Sequence, residues 1–132
     1  MLEVGATASR SKTFTAHDVE LFAEASGDHN PLHLDETYAA TTVFKRRIVH
    51  GMLTAGLISA VLANDLPGPG SIYLSQSLQF KAPVYLGDTI TVTVEVTAYR
   101  PSRRFATLRT TGVNQEGTLV IEGEALVIAP PA

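Results

Sequence analysis

The second half of the chain alternates between apolar and polar positions. In TITVTVEVTAY, Ile90, Val92, Val94 and Val96 are apolar, with Thr91, Thr93, Glu95 and Thr97 between them. A period of two puts every apolar side chain on one face of a strand. SIYLSQSLQFKAPV alternates in the same way through Ile72 and Leu74 and then Leu78 and Phe80. RRFATLRTTGV and TLVIEGEALVIA complete a set of four long strands. YLGD, RPSRR and NQEG carry turn residues between them, so an antiparallel meander is the economical topology.

The stretch HGMLTAGLISAVLANDL has a different pattern. Met52, Leu53, Ala55, Leu57, Ile58, Ala60, Val61 and Leu62 leave almost no polar face, which predicts a helix buried all round. Its roughly 14 residues reach about 20 Å, the width of a small sheet, before LPGPG ends it. The first third reads as helical and looping. Thr15 and Asp18 have capping-box spacing ahead of Val19, Phe22 and Ala23, predicting a helix over about residues 16–25, stopped by Gly27. A second short helix is expected over DETYAATT, capped by Asp35, with Tyr38 and Ala39 facing inward. One buried helix and a long antiparallel sheet predict an α+β domain in which the sheet curls around the helix.

Composition narrows the function classes. A length of 132 residues, 45% hydrophobic and 17% charged, fits one domain over 1–132 with a real core. The net charge of -3 comes without any extended basic run, which argues against nucleic acid as a partner. The absence of cysteine excludes disulfides and thiolate metal sites and is compatible with a reducing compartment. The first residues, MLEVGATASRSKTF, lack the apolar stretch of a signal peptide. The apolar run from Met52 to Leu62 falls short of the roughly 20 residues a bilayer requires. A soluble, cytoplasmic domain with no membrane partner is expected.

Between the first two helical patterns sits SGDHNPLH, Ser26 to His33. Pro31 has no N–H and disfavours α conformation at Asn30, so the segment from Asp28 to His33 is expected to be non-helical. A fixed, extended turn lets Asp28 and His33 share one side of the chain, which a regular helix or strand would not. The Asn30 amide is placed to orient either partner. Without a nucleophilic Ser or Cys beside them, a carboxylate and an imidazole are suited to holding one water. One removes its proton and the other manages a proton elsewhere. Metal binding by Asp28, His29 and His33 is the weaker reading, because the spacing matches no familiar zinc or facial-triad pattern. Taken alone, a capped polar turn accounts for these residues as well.

A second feature is IVHGM, directly before the buried helix. Gly51 at a helix N-terminus leaves its backbone N–H open to an approaching ligand, and the helix dipole favours a developing oxyanion there. Water activation beside an oxyanion site suggests addition to, or elimination from, an activated carbonyl compound.

The stretch ASGDHNPLHLDETYA resembles the signature of the MaoC-like R-specific enoyl-CoA hydratases, and IVHGMLTAGLISAVL resembles the central helix of their hot-dog fold. The order of elements across nearly the whole chain is similar to the short single-domain members. The Gly-Asp-x-Asn-Pro-x-His core is the specific part of the likeness; the β half adds consistency. The resemblance implies that Asp28 and His33 position and activate water for syn addition across a trans-2-enoyl thioester, giving the (R)-3-hydroxyacyl product. It implies that the Gly51 N–H binds the thioester oxygen and that Asn30 supports this geometry. It implies no metal or redox cofactor, an acyl-CoA thioester as substrate, and a homodimer with a substrate tunnel near the subunit interface. Some relatives carry a hydroxyl residue where this chain has Ala55-Gly56; the hydroxyls nearby are Thr54 and Ser59.

Other residues read more plainly. His17 and His29 are expected to be solvated, and His50 to fix the helix start, with lining of the site as its alternative. Tyr38 is expected in the core. Lys45, Arg46 and Arg47, or Arg100, Arg103 and Arg104, are candidate contacts for a coenzyme A phosphate, against the plainer reading of solvated loops. The rival functions are a 3-hydroxyacyl-carrier-protein dehydratase, a non-catalytic acyl-thioester-binding module and a hot-dog thioesterase.

Overall fold

The alternating segments form strands whose inward residues make the core. In the computed structural model, which describes residues 2–131, β4 (Thr89–Arg100), β5 (Phe105–Val113) and β6 (Leu119–Ile128) are consecutive antiparallel neighbours. The single domain expected over 1–132 thus has its two end residues outside the described part. Ile90, Val92, Val94 and Val96 are each fully buried. Burying such side chains contributes roughly 1.5–3 kcal/mol apiece before entropy is counted. They pack with Leu108 of β5, Val120, Ile121 and Val127 of β6, and Leu57, Ile58, Val61 and Leu62 of helix α4 (Gly51–Asn64). Helix α4 lies against β4 and against the edge strand β1 (Thr7–Thr13). This is the hot-dog arrangement of a central helix on an antiparallel sheet.

Three elements depart from the pattern-based expectation. Strand β1 falls in a segment read as irregular, because TASRSKT contains almost nothing apolar. It is held as an edge by its ladder to β4 and by hydroxyl pairs: Ser9–Thr93 at 2.8 Å, Ser11–Thr91 at 2.7 Å and Thr13–Thr89 at 2.6 Å. The SIYLSQSLQF segment is not one long strand. It breaks into β2 (Ile72–Gln76) and β3 (Gln79–Phe80), both paired with β6, so only β4–β5–β6 is a meander. Ile72, Leu74 and Phe80 are consequently exposed, at 55%, 46% and 55%.

The helical third follows its caps. Helix α1 (Ala16–Ser26) has the expected capping box, Thr15 accepting from the Asp18 N–H and Asp18 from the Thr15 N–H. It ends on Gly27 at φ 81°, a left-handed conformation that favours glycine. Pro31, expected to keep its surroundings non-helical, instead opens the short helix α2 (Pro31–Leu34). Proline at the first helical position loses no hydrogen bond and arrives with a helical φ. Helix α3 (Glu36–Ala40) is capped by Asp35 and buries Ala39, but Tyr38 is largely exposed rather than core. In α4 the face carrying Met52 and Gly56 is uncovered, so burial is not complete all round.

Gly123 marks the break between β2 and β3. Ser77 crosses β6 there, its N–H on the Glu124 carbonyl at 2.9 Å and its hydroxyl accepting from the Glu124 N–H at 3.0 Å. A Cβ at Gly123 would lie 1.8 Å from the Ser77 carbonyl oxygen, which is backbone and has little freedom to yield. Gly123→Ala is expected to destabilise the fold by roughly 1–3 kcal/mol, the usual cost of overpacking. Thermal melts of the two proteins measure it, and an unchanged melting temperature would show that the crossing is not tightly held.

Candidate active site

The polar segment after α1 is a series of local turns that ends by fixing an imidazole. The Asp28 N–H donates to Ser26 Oγ at 3.1 Å, and Asp28 Oδ1 accepts the Asn30 N–H at 3.2 Å. Asn30 Oδ1 accepts the Leu32 N–H at 3.1 Å and so caps α2. Each link uses a side chain that satisfies a backbone N–H two residues on, which Ser, Asp and Asn do readily. Asn30 therefore acts differently from expectation. Its amide serves the helix cap, and its backbone N–H steadies Asp28.

One turn into α2, His33 is buried and its Nδ1 lies 2.8 Å from the Ile48 carbonyl. A carbonyl only accepts, so Nδ1 carries the hydrogen and the neutral ring keeps its lone pair on Nε2. The Arg47 guanidinium donates to the His33 carbonyl at 2.7 Å, securing the same turn from the other strand of the loop.

Asp28, His33 and His50 each offer a donor atom, and these atoms lie within 4.8 Å of one another. Two acceptors bridged by one tetrahedral water, at ordinary hydrogen-bond lengths, stand about 4.6 Å apart. That spacing lies inside the limit within which Asp28 and His33 are held, so one water can be shared between them. The pair opens on a pocket of about 450 Å³ whose walls include Phe44, Gly51, Phe80 and Val84. The wall is mostly apolar, which suits an acyl chain better than a sugar or a free phosphate.

Gly51 is the first residue of α4, and among the described residues its N–H meets no acceptor. The Phe80 ring lies over it: a Cβ would come within 2.6 Å of that ring. Glycine thus keeps both the N–H and the approach to it open.

His50 was expected to fix the helix start, with lining of the site as the alternative, and the geometry places it in the site's wall. It is 2% exposed, lines the pocket, and stacks on His33 with centroids 3.9 Å apart and planes 28° apart. Its Nε2–H donates to the Asp28 carbonyl at 3.1 Å, leaving Nδ1 buried with no partner. A buried acceptor left unpaired costs about 1–3 kcal/mol. Burial lowers the proton affinity of His50 below the ordinary imidazole value; the hydrogen bond to Asp28 opposes this, and His33 adds to it. The signal for His50 in the sequence was its place beside Gly51 ahead of an apolar helix.

Remaining candidates fall outside this cluster. His29 and His17 are exposed. Arg46 lies over the Tyr85 ring at 3.8 Å, and Arg47 is engaged with His33. Arg100, Arg103 and Arg104 do not line the pocket, and Arg104 donates to the Ala129 carbonyl. Thr54 lines the pocket with a buried, unpartnered hydroxyl, whereas Ser59 faces a separate groove with Tyr73 and Leu74.

The MaoC like domain family matches residues 3–117. The chain belongs to that family. It is 57% identical over 129 residues to the (R)-specific enoyl-CoA hydratase of Rhodospirillum rubrum, covering 98% of this chain and 89% of that protein. It is 36% identical to a mitochondrial 3-hydroxyacyl-[acyl-carrier-protein] dehydratase of Arabidopsis thaliana, covering 98% of this chain and 79% of that one. Among solved structures, the (R)-hydratase from Aeromonas caviae involved in PHA biosynthesis superposes with a TM-score of 0.95 at 56% identity, covering 98% of each chain.

Within this MaoC-like domain, the three donors Asp28, His33 and His50 also form the one cluster of metal-ligand residue types close enough to share an ion among the described residues. Imidazole lone pairs lie in the ring plane, and two rings stacked face to face are poorly placed to converge on one ion. The arrangement favours proton transfer over ligation. No helix among the described residues is long and apolar enough to cross a membrane.

Proposed function

We propose that this MaoC-like chain is an R-specific enoyl-CoA hydratase, adding water reversibly to a trans-2-enoyl-CoA to give the (R)-3-hydroxyacyl-CoA. One observation carries the reading: a carboxylate oxygen of Asp28 and a ring nitrogen of His33 lie within 4.8 Å of each other in an apolar pocket that Gly51 also lines. Asp28 takes a proton from the shared water as its oxygen bonds to C3. The double-bond electrons move to the thioester oxygen, which the Gly51 N–H stabilises at the positive end of α4. C2 then takes a proton returned through the Asp28–His33 pair from the same face, so the sum is one water added in a syn sense. The addition is redox-neutral and every proton has a protein group to carry it, so no cofactor enters.

Names of relatives support the carrier. Those more than half identical are all named for CoA thioesters, as enoyl-CoA hydratases in Rhodospirillum rubrum and Aeromonas caviae and as a 3-hydroxybutyryl-CoA dehydratase in Methylorubrum extorquens, and the dehydratase of acyl-carrier protein is the more distant at 36%. An acyl-binding module without activity would have no need of the pair, and its retention argues against that reading. The cysteine-free composition agrees with a cytoplasmic setting.

Hydration of crotonyl-CoA, followed at the enoyl absorbance with chiral analysis of the product, is expected to give the (R) isomer. Asp28→Asn is expected to lose roughly 10²–10⁴ in rate, the usual worth of a general base. Near-normal turnover in that variant, or release of free CoA instead of a hydroxyacyl thioester, would sink the assignment.

The Gly51 N–H has a test of its own, since proline at a first helical position removes the donor and leaves the helix intact. Gly51→Ala retains the N–H but presses a methyl on Phe80, and serves as the control. Relative to it, Gly51→Pro is expected to lose a further 10²–10³ or so in kcat. Equal rates in the two variants would remove Gly51 from the oxyanion role.

We further propose that a second copy covers the open face of α4. Met52, Tyr73 and Leu74 are exposed apolar residues there, and with Gly56 and Ser59 they line a groove of about 360 Å³. Light scattering in solution is expected to give twice the 14.1 kDa chain mass; a monomer at micromolar concentration would refute it.

A further inference from the structure

We propose that His50 is a positioning residue, a neutral imidazole that locks the Asp28 main chain and the His33 ring to the start of α4. It touches both members of the pair, through a hydrogen bond to the Asp28 main chain and a stack on the His33 ring. Through Nε2–H it holds the carbonyl of Asp28, 22 residues earlier in the chain. Through its face it carries His33, with centroids 3.9 Å apart. Phe22 of α1 meets the same ring at 4.8 Å and a tilt of 56°, so three elements converge on one side chain. Next in sequence comes Gly51, so the base, its partner and the oxyanion donor share one reference point.

The chemistry of the side chain supports this role over simple packing. A residue present only to fill space would be apolar, because burying Nδ1 with no partner is unfavourable. An imidazole is retained where a flat face and one N–H are both needed at once. A carbonyl partner forces the Nε2–H tautomer, and the neutral form avoids a second positive charge against His33. Asp28, His29 and His33 are the titratable groups that act on it, and burial is the largest influence, favouring the neutral ring. Small displacements of a base from its water are costly in rate, about 10² for 1 Å.

The test compares two substitutions that separate the face from the donor. His50→Phe keeps a flat ring and loses the N–H; His50→Gln keeps an N–H donor at similar reach. His50→Phe is expected to lose roughly 10–10² in kcat on crotonyl-CoA with KM changed less than about threefold, and His50→Gln to recover most of the loss. Activity of His50→Phe within threefold of the parent, an effect confined to KM, or equal losses in both variants would overturn the proposal.

The kinetic arm rests on the hydratase reading, so a second arm does not use activity. Imidazole nitrogen shifts of the unsubstituted protein are expected to give His50 as the neutral Nε2–H tautomer, still uncharged as the pH falls through about 6.5, where a free imidazole takes its proton. The Nδ1–H tautomer, or ordinary titration near that value, would overturn the positioning role whatever the reaction proves to be. If instead crotonyl-CoA is not hydrated at all while His50 behaves as stated, the hydratase reading falls and the positioning stands. If His50→Phe fails to fold, the nitrogen shifts and His50→Gln decide the matter.

Discussion

Helix α4 delivers Leu57, Ile58, Val61 and Leu62 into the same core as Ile90, Val92, Val94 and Val96, and this packing fixes where the helix begins. A helix start is a set of unpaired N–H groups with a partial positive charge. Packing therefore determines the position of Gly51, and the segment carrying Asp28 and His33 has to be brought to it. The loop between α3 and α4 does this. Ile48 bridges to Tyr85 and accepts from His33, while Val49 donates to the Val84 carbonyl at 2.7 Å. The buried sheet, the helix start and the imidazole are joined through main-chain groups, which hold position better than long side chains do.

The polar segment illustrates how such an assembly keeps its parts rigid outside regular structure. Gly27 reverses the chain in a conformation other residues adopt at a cost, and Ser26, Asp28 and Asn30 each satisfy a nearby N–H. Helix α2 has only four residues, too few to be stable alone, and it persists because both ends are capped and His33 is clamped at Ile48. Asp28 is exposed in the isolated chain while His33 is buried. A carboxylate at the rim with a sheltered imidazole behind it can receive water from the pocket and pass a proton inward.

Much of this was legible from residue types. Alternation gave β4 to β6 because each has one buried face, and Thr15, Asp18 and Gly27 gave the limits of α1. The pairing of Asp28 with His33 was legible from the proline between them, though the proline acts by starting a helix and not by preventing one. What was not legible depended on tertiary partners. TASRSKT is a strand only because β4 offers it an edge and matching hydroxyls. The split of β2 from β3 depends on Ser77 crossing Gly123, a contact between residues 46 positions apart that no local pattern encodes. For His50 the sequence left open whether it fixes the helix start or lines the site, since its contacts with Phe22, Asp28 and His33 all lie far away in sequence.

Two mismatches between pattern and exposure have one physical reading. The pattern of α4 demands burial on all sides, yet Met52 is 58% exposed, and the alternation of β2 demands a buried face, yet Ile72 and Leu74 lie open. Both uncovered surfaces border the same groove, which Tyr73, Leu74 and Met52 line together. An apolar surface shared by a helix and a neighbouring strand is expensive to leave in water, and isolated domains rarely keep one without a use for it. On the proposed assembly, the periodicity describes the environment these residues occupy once a second copy is in place. Hydrophobic patterning then reports the burial of the assembled state, and the excess over what one chain buries marks the surface where the assembly forms.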